Sequence, residues 1–252
     1  MRRRERLNQI LSVIVGHGSM DVEALARQFD VSHATIRRDL ELLEQQRLVS
    51  RTRGGATTHS AFTDMPLNYK TAQDLDEKRR IAHEARRQVQ GARVVGMTGG
   101  TTVAEFAHLL LDHEGLTVVT NALNVALHLL DNPRLRVFVG GGELRSSSQE
   151  TVGHNTESFF TQYNLDVAFL GVDGVDASAG CTNYDPAGAR ANGELLRRAR
   201  RRIVLADATK IGRLALAQVC ALSDVDVLIT DERAEQGQVE RIREQGCDVV
   251  LV

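Results

Sequence analysis

The stretch that decides the fold is VVGMTGGTTVAEFAHLL, residues 94–110. Its first four residues form a short apolar run, which is typical of a buried β-strand. The run leads into a glycine- and threonine-rich loop at 98–102, and the apolar spacing beyond this loop predicts a helix over 102–112. A buried strand, a glycine turn and a helix in succession are the repeating unit of an α/β domain.

The same alternation continues to the end of the sequence. The predicted strands are 94–97, 116–120, 135–139, 167–172, 203–206, 225–229 and 249–252. The predicted helices between them are 102–112, 122–130, 186–201 and 235–245, and a charged amphipathic helix at 76–90 precedes the first strand. Apolar strands that alternate with helices indicate an α/β domain with a doubly wound, mostly parallel sheet.

Residues 1–58 carry a different pattern, in which three short helical segments are followed by a strand and a glycine turn. The apolar positions are Leu7, Ile10, Leu11 and Ile14 in the first segment, Val22, Leu25, Ala26 and Phe29 in the second, and Ile36, Leu40 and Leu43 in the third. This spacing places one apolar face on each helix. Asp21 and Ser32 are plausible N-caps of the second and third helices. The pattern predicts a winged helix-turn-helix.

The third helix presents small polar groups and then arginines on its outward side. A helix that enters the major groove of DNA needs small groups near its N-terminus and donors for phosphates and base edges further along. The residues expected to contact DNA are Ser32, His33, Thr35, Arg37 and Arg38 on the helix and Arg51, Arg53 and Gly54 in the wing. A three-helix protein–protein module with a solvated basic face is the alternative that the spacing leaves open.

Composition excludes several other classes of protein. The net charge is −2, but residues 1–60 carry +3 and the remainder −5, so the basic end can face a polyanion. Three isolated cysteines, with no CxxC pair, predict neither a disulfide framework nor a zinc site. No apolar run is long enough for a membrane span, and the basic N-terminus is followed by an amphipathic segment. We expect a cytoplasmic protein without a cofactor or a metal.

Polar, glycine-rich loops follow five of the predicted strands. Because the carboxyl ends of parallel strands meet at one edge of a sheet, these loops predict one shared pocket. The glycines at 98–102 let backbone N–H groups approach an anion, and the helix N-terminus adds a partial positive charge. The expected ligand-binding residues are Gly99, Gly100, Thr101, Thr102, Asn121, Gly141, Asp173, Asp207 and Lys210. A tight turn without a ligand is the alternative for the loop, and a cap or turn former is the alternative for each aspartate.

Both halves of the chain resemble the DeoR-type repressor family. Residues 31–44, VSHATIRRDLELLE, are similar to its V-S-x-x-T-I-R-R-D-L-x-x-L-E signature. Residues 51–56 are similar to its R-x-H-G-G-A wing, with Arg53 at the histidine position. The segments that resemble the family's effector domain are Gly100-Thr101-Thr102, Val119-Thr120-Asn121, Gly141-Gly142-x-x-Arg145, Ala168-Phe169-Leu170-Gly171, Leu205-Ala206-Asp207-x-x-Lys210 and Leu228-Ile229-Thr230-Asp231.

This resemblance implies a repressor of carbohydrate metabolism genes. Its effector domain would be similar in fold to ribose-5-phosphate isomerase. A phosphorylated sugar or a related metabolite would bind at Gly99–Thr102, Asn121, Gly141 and Lys210 and alter the affinity for operator DNA. We expect a DNA-binding domain at 1–58, a linker at 59–75 and an effector-sensing and oligomerisation domain at 76–252. One helix-turn-helix contacts few base pairs, which favours a homodimer or homotetramer.

Two positions depart from the family, and two other functions stay open. Thr98 stands where the family's D-x-G-T-T motif has an aspartate, and Gly188 stands where the family often has a glutamate. A sugar-phosphate isomerase would use Asp173 or Asp207 as its base and Lys210 at the oxyanion, although an isomerase needs no winged helix. An activator of the same architecture is the other alternative, because the sign of regulation depends on operator position.

Overall fold

The structure is a computed structural model that describes residues 3–46, 48–57, 65–71 and 73–252. The chain divides into two compact units, Met1–Met65 and Pro66–Val252. Each unit has its own set of helices and strands. None of the helices in the described ranges is both long enough and apolar enough to cross a membrane.

The first unit is a winged helix-turn-helix, as predicted. Its elements are α1 (Arg3–His17), β1 (Ser19–Asp21), α2 (Val22–Phe29), α3 (His33–Gln45), β2 (Ser50–Arg51) and β3 (Gly55–Thr57). The strands form an antiparallel sheet in the order β1-β3-β2. Asp21 caps α2 by accepting a hydrogen bond from the Ala24 N–H at 2.7 Å, and Ser32 caps α3. The break between α2 and α3 falls at Asp30, which has a φ of +51°.

The core of the first unit combines apolar faces with one buried ion pair. All of the predicted apolar positions are buried except Phe29, which is half-buried. Asp39 lies on the same buried face of α3, and its carboxylate meets the guanidinium of Arg6 at 2.7 Å and that of Arg3 at 3.5 Å. A carboxylate in such a position needs a cationic partner. This pair therefore fixes α3 against α1.

The second unit contains all seven predicted strands in one sheet. Its elements are α4 (Leu67–Lys70), α5 (Leu75–Gln88), β4 (Val94–Met97), α6 (Thr101–His108), β5 (Thr117–Thr120), α7 (Leu123–Leu129), β6 (Arg136–Val139), β7 (Glu143–Arg145), β8 (Glu150–Val152), α8 (His154–Phe160), β9 (Leu165–Gly171), β10 (Gly174–Asp176), β11 (Gly180–Asn183), α9 (Pro186–Arg197), β12 (Ala199–Leu205), β13 (Ala217–Cys220), β14 (Val227–Thr230), α10 (Gln236–Glu244) and β15 (Asp248–Leu251).

The large sheet has the order β15-β14-β12-β9-β4-β5-β6, and every neighbouring pair is parallel. Its two faces are both covered by helices. Along β9, Val167 and Phe169 join the core beneath α5, α6 and α7, whereas Ala168 and Leu170 join the core beneath α8, α9 and α10. A strand that is buried on both faces requires a continuous run of apolar residues. Such runs are visible in the sequence and predicted these seven strands.

Short strands and two boundaries differ from the prediction. The hairpin β7-β8 and the small sheet β10-β11-β13 were not predicted, since their strands have three or four residues and no apolar run. The helix predicted to reach residue 201 ends at Arg197, because β12 pairs with β9 from Ala199 onward. The arginine-rich segment favours a helix locally, and the sheet overrides that preference.

The predicted linker, 59–75, differs from the structure over its second half. Residues 58–64 lie outside the described residues. Leu67–Lys70 forms α4, in which the side chains of Leu67 and Tyr69 are buried. The Leu67 N–H donates to the Ser147 carbonyl at 2.7 Å. Two buried side chains and this long-range hydrogen bond place α4 within the second unit.

Adjacent glycines in the wing provide a matched test of the first unit. A Cβ on Gly55 would lie 2.0 Å from the Met20 carbonyl oxygen, whereas a Cβ on Gly54 would meet no atom within 4 Å. Gly55→Ala should therefore lower the free energy of unfolding by about 2 kcal/mol or more, as overpacking does. Gly54→Ala should change it by less than about 0.5 kcal/mol. Amide hydrogen exchange in β1 and β3 measures both, and equal protection in the two variants would contradict the packing of the wing.

Candidate functional site

The outward side of α3 carries two arginines whose side chains have no partner among the described residues. The side chains of Arg37 and Arg38 are exposed and make no hydrogen bond or ion pair with any described residue. Ser32 and Thr35 are engaged locally, because the Ser32 hydroxyl accepts from the Thr35 N–H at 3.2 Å and lies 2.9 Å from its hydroxyl. His33 begins the helix and is exposed. The helix thus offers free guanidinium groups behind a well-capped N-terminus.

The wing places two further arginines on the surface of the same unit. Arg51 ends β2 and Arg53 lies in the turn between β2 and β3, and both are exposed. The Arg51 N–H donates to the Glu44 carboxylate of α3 at 3.1 Å, which ties the wing to the helix. Gly54 is exposed at the turn, and its carbonyl accepts from the Val22 N–H at 2.7 Å. All eight predicted DNA-contacting residues therefore belong to α3, its cap and the wing.

The strand order of the large sheet reverses between β4 and β9. From β4 the chain goes on to β5 and β6 on one side, and from β9 it goes on to β12, β14 and β15 on the other. The loops after β4 and β9 touch, because the Gly171 N–H donates to the buried Thr98 hydroxyl at 3.0 Å. A Cβ on Gly171 would lie 2.6 Å from the Gly99 carbonyl oxygen. Such a reversal point at the carboxyl edge is where open α/β sheets bind ligands.

The predicted phosphate loop stands at the N-terminus of α6. Gly100 has a φ of +110° and begins this helix, and Thr101 and Thr102 form its first turn. The Gly99 N–H is already engaged, because it donates to the Glu150 carboxylate at 2.8 Å. Glu150 is only 7 % exposed and was not predicted from the sequence. Burial raises the pKa of this carboxyl, and the hydrogen bond from Gly99 opposes the rise.

Three lysines gather at the same edge and are called the lysine cluster below: Lys70, Lys78 and Lys210. Lys210 is partly buried, and its ammonium makes no hydrogen bond or ion pair in the described part of the chain. Burial lowers the pKa of its ammonium, opposed by Asp207 and supported by the charge of Lys70. Burial also lowers the pKa of Lys78, which donates to the carbonyls of Lys70, at 2.7 Å, and of Gln73.

The other predicted ligand-binding residues have different local partners. Asp173 pairs with Lys70 at 3.0 Å and accepts from the Tyr184 N–H at 3.2 Å. Asp207 caps the turn Ala208–Lys210 by accepting from the Thr209 N–H and hydroxyl. Gly141 is exposed, and its carbonyl accepts from the Thr156 hydroxyl. The aspartates thus perform the structural roles that the sequence left open, while Asn121 keeps a buried Oδ1 with no partner in the described chain.

Sequence reasoning missed Lys70, Lys78 and Glu150. The chain contains only three lysines among 31 lysines and arginines, and all three meet at this edge. Lys78 also lies on the apolar face of an amphipathic helix, in step with Ile81, Ala82 and Ala85. The small number of lysines marks all three as unusual, and the position on an apolar helix face also marks Lys78. No local pattern marks Glu150, which reaches Gly99 across 51 positions of sequence.

The two departures from the family pattern have visible consequences. Thr98 has a hydroxyl where the family has a carboxylate, and this hydroxyl accepts from the Gly171 N–H. Gly188 lies in the first turn of α9, where its N–H donates to the Asp185 carboxylate at 2.6 Å. That carboxylate also lies 3.6 Å from the guanidinium of Arg145. No group of three His, Cys, Asp or Glu side chains within the described ranges is arranged to hold a metal ion.

Two family models match the chain. The DeoR-like helix-turn-helix domain matches residues 6–62, and the DeoR C terminal sensor domain matches residues 73–232. Among curated relatives, the glycerol-3-phosphate regulon repressor of Escherichia coli K12 is 34 % identical over 92 % of both chains. A putative aga operon transcriptional repressor of Escherichia coli O157:H7 is 33 % identical over 98 % of this chain and 93 % of its own.

Similar solved structures cover part of the chain. A D-ribose-5-phosphate isomerase in complex with phospho-erythronic acid is 21 % identical, with a TM-score of 0.40 over 53 % of this chain and 52 % of its own. The ribose 5-phosphate isomerase A of Methanocaldococcus jannaschii is 18 % identical, with a TM-score of 0.40 over 55 % of this chain and 56 % of its own.

The lowered pKa of Lys210 predicts how anion binding depends on pH. Sulfate is a suitable probe because its charge is constant near neutrality and above. Its affinity should fall as the pH rises from 7 toward 10, since the ammonium loses its proton below the ordinary range for lysine, about 10.4. Lys210→Met should weaken sulfate binding about tenfold at pH 7 and reduce this dependence. Calorimetric titration measures both, and an unchanged pH profile in Lys210→Met would show that Lys210 does not meet the anion.

Proposed function

Since the chain belongs to the DeoR family of transcription regulators, we propose that it represses carbohydrate metabolism genes and responds to a phosphorylated sugar or a related metabolite. The main support for the proposed effector site is the ammonium of Lys210. A partly buried charge without a partner is costly, and an anionic ligand offsets that cost. Lys210 therefore supports a site for a phosphate group.

The surroundings of Lys210 favour phosphate over a neutral ligand. The first turn of α6 supplies backbone N–H groups and the positive end of a helix dipole at the same sheet edge. Lys70 and Lys78 add positive charge, which Asp173 and Asp207 balance in part. The name of the Escherichia coli relative, a glycerol-3-phosphate regulon repressor, supports a phosphorylated polyol or sugar as the class of effector.

The proposal that the protein binds DNA rests on the exposed arginines of α3 and of the wing. Arg37 and Arg38 contact base edges in the major groove or the phosphates that flank it. Arg51 and Arg53 contact the DNA backbone beside that groove. We propose operator DNA as the partner and a homodimer or homotetramer as the bound form, because one helix-turn-helix reads few base pairs. We propose a cytoplasmic location, because the protein would act on chromosomal DNA. We propose the domain assignment 1–58 for DNA binding and 76–252 for effector sensing, with α4 joined to the latter.

An isomerase activity has less support than the regulator. Asp173 is held in an ion pair and Asp207 caps a turn, so neither carboxylate is placed as an unengaged general base. The curated relatives reported above are named as repressors. We therefore propose that the sheet edge binds its ligand without converting it.

Replacement of the α3 arginines tests the DNA-binding surface. Arg37→Ala and Arg38→Ala should each weaken binding to operator-like DNA from the gene's own upstream region by about 1–3 kcal/mol. Arg87→Ala is the control, because Arg87 is an exposed α5 arginine that pairs with Glu84. Fluorescence anisotropy at fixed salt gives the affinities. Unchanged affinity for DNA in both α3 variants would show that α3 does not contact DNA.

A panel of phosphorylated sugars and polyols tests the effector site. One of them should shift the operator affinity of the wild-type protein by fivefold or more, a typical allosteric coupling of about 1 kcal/mol. Lys210→Met should lose that shift and retain operator binding, whereas Arg134→Met, in the loop before β6 at the opposite edge, should retain both. Loss of operator binding in Lys210→Met would instead indicate a folding role for Lys210.

A further inference from the structure

Two of the three cysteines lie opposite each other in the small sheet of the second unit. Cys181 belongs to β11 and Cys220 ends β13, and these antiparallel strands pair with Cys181 opposite Cys220. Residues directly opposite in an antiparallel pair project from the same face, with Cα atoms about 4.5–5.5 Å apart. A disulfide requires Cα atoms about 4.4–6.8 Å apart. The register of the two strands therefore suits a disulfide without a rearrangement of the sheet.

The two thiols also point toward each other. The Cys181 thiol donates a hydrogen bond to the Cys220 sulfur, and both side chains belong to the same apolar core. The strand register and the hydrogen bond are independent observations, and both place the sulfurs side by side. The sequence does not show this pair, because the two cysteines are far apart in the chain and form no CxxC motif.

The hydrogen bond makes the two thiols chemically unequal. Because Cys220 accepts the hydrogen bond from Cys181, the pKa of Cys220 is lowered. Donation of that hydrogen bond, together with burial, raises the pKa of Cys181. Cys181 is fully buried, whereas Cys220 is 8 % exposed. Since the thiolate is the reactive form of cysteine, Cys220 is the nucleophile of the pair and Cys181 is its neighbouring second thiol.

Cys247 is a third thiol of the same core and provides an internal comparison. Burial raises its pKa to about 12, and its sulfur lies 3.6 Å from the Asp248 carbonyl oxygen. A buried thiol with a raised pKa is unreactive toward oxidants. Cys247 should therefore stay reduced for as long as the core stays folded.

We propose that Cys181 and Cys220 are a dithiol that a hydroperoxide oxidises to a disulfide between β11 and β13. The Cys220 thiolate attacks the terminal oxygen of the peroxide, the O–O bond breaks, and the departing oxygen takes up a proton, which leaves a sulfenic acid on Cys220. The Cys181 sulfur then attacks the Cys220 sulfur. The S–S bond forms, the S–O bond breaks, and hydroxide leaves with the Cys181 proton as water. Two electrons pass from the dithiol to the peroxide, and a thiol reductant reverses the oxidation by exchange.

The disulfide would join the strands that support the segment carrying Lys210. This segment runs into β13, and on its way the Gly212 N–H donates to the Val175 carbonyl at 2.8 Å. The Ala215 N–H donates to the Thr182 hydroxyl at 2.9 Å. Disulfides that form in a reducing compartment are usually transient and serve redox sensing. The dithiol thus adds an oxidation-sensitive site that is separate from the proposed effector site and does not depend on it.

Peroxide treatment of the folded full-length protein tests the proposal. The reduced protein is treated with hydrogen peroxide, unfolded in the presence of N-ethylmaleimide, digested without reductant and analysed by mass spectrometry. We expect a peptide that links Cys181 to Cys220 within one chain, an alkylated Cys247, and loss of the link after treatment with dithiothreitol. Alkylation of all three cysteines, or oxidation of Cys220 to a sulfinic acid without a link, would overturn the proposal. Oxidation of Cys247 at the same rate as the pair would do so too, because it would show that peroxide reacts with an unfolded core.

Three alanine variants separate the roles of the cysteines, and alanine avoids burying an unsatisfied hydroxyl. In Cys181→Ala the reaction should stop at the sulfenic acid, which dimedone traps on Cys220. Cys220→Ala should show no dimedone adduct on Cys181 under the same conditions. Cys247→Ala is the matched control, because it removes a thiol of the same core and should form the disulfide at the wild-type rate. An adduct on Cys181 in Cys220→Ala, formed as fast as that on Cys220 in Cys181→Ala, would contradict the assignment of Cys220 as the nucleophile.

Discussion

The second unit depends on the contact between the loops that follow β4 and β9. At this point the strand order reverses, so the two loops leave the sheet on opposite faces and open a gap between them. The Thr98 hydroxyl accepts the Gly171 N–H across the gap, and neither Gly99 nor Gly171 carries a side chain that would hold the loops apart. This contact positions the candidate ligand-binding loop that precedes α6.

Charge is arranged around that contact in two groups of opposite sign. The lysine cluster lies near Asp173 and Asp207, and Glu150 lies against Gly99. Lys78 holds the carbonyls of the segment before α5, and this segment carries Lys70 to its ion pair with Asp173. The ammonium of Lys210 makes no hydrogen bond or ion pair with any described residue.

The first unit is built so that its DNA-contacting surface stays in one shape. Asp39 binds Arg6 on the buried side of α3, Ser32 caps the helix, and Glu44 holds the backbone of the wing. These contacts join the elements that carry the exposed arginines. Regulation then requires that the effector bind more tightly to one arrangement of the DNA-binding units than to another, since only a difference in affinity shifts an equilibrium.

The sequence by itself determined the sheet, the helices around it and the winged helix-turn-helix. These features depend on apolar periodicity and on capping residues within a few positions of one another, which a linear pattern contains. The loop residues at the carboxyl edge of the sheet could be predicted from the sequence for the same reason. Only the tertiary structure brought Lys70, Lys78 and Glu150 to the candidate site and showed the local contacts of Asp173 and Asp207. Lys70 meets Asp173 across 103 positions, and Glu150 meets Gly99 across 51, so those contacts exist only once the sheet has brought its strand ends together.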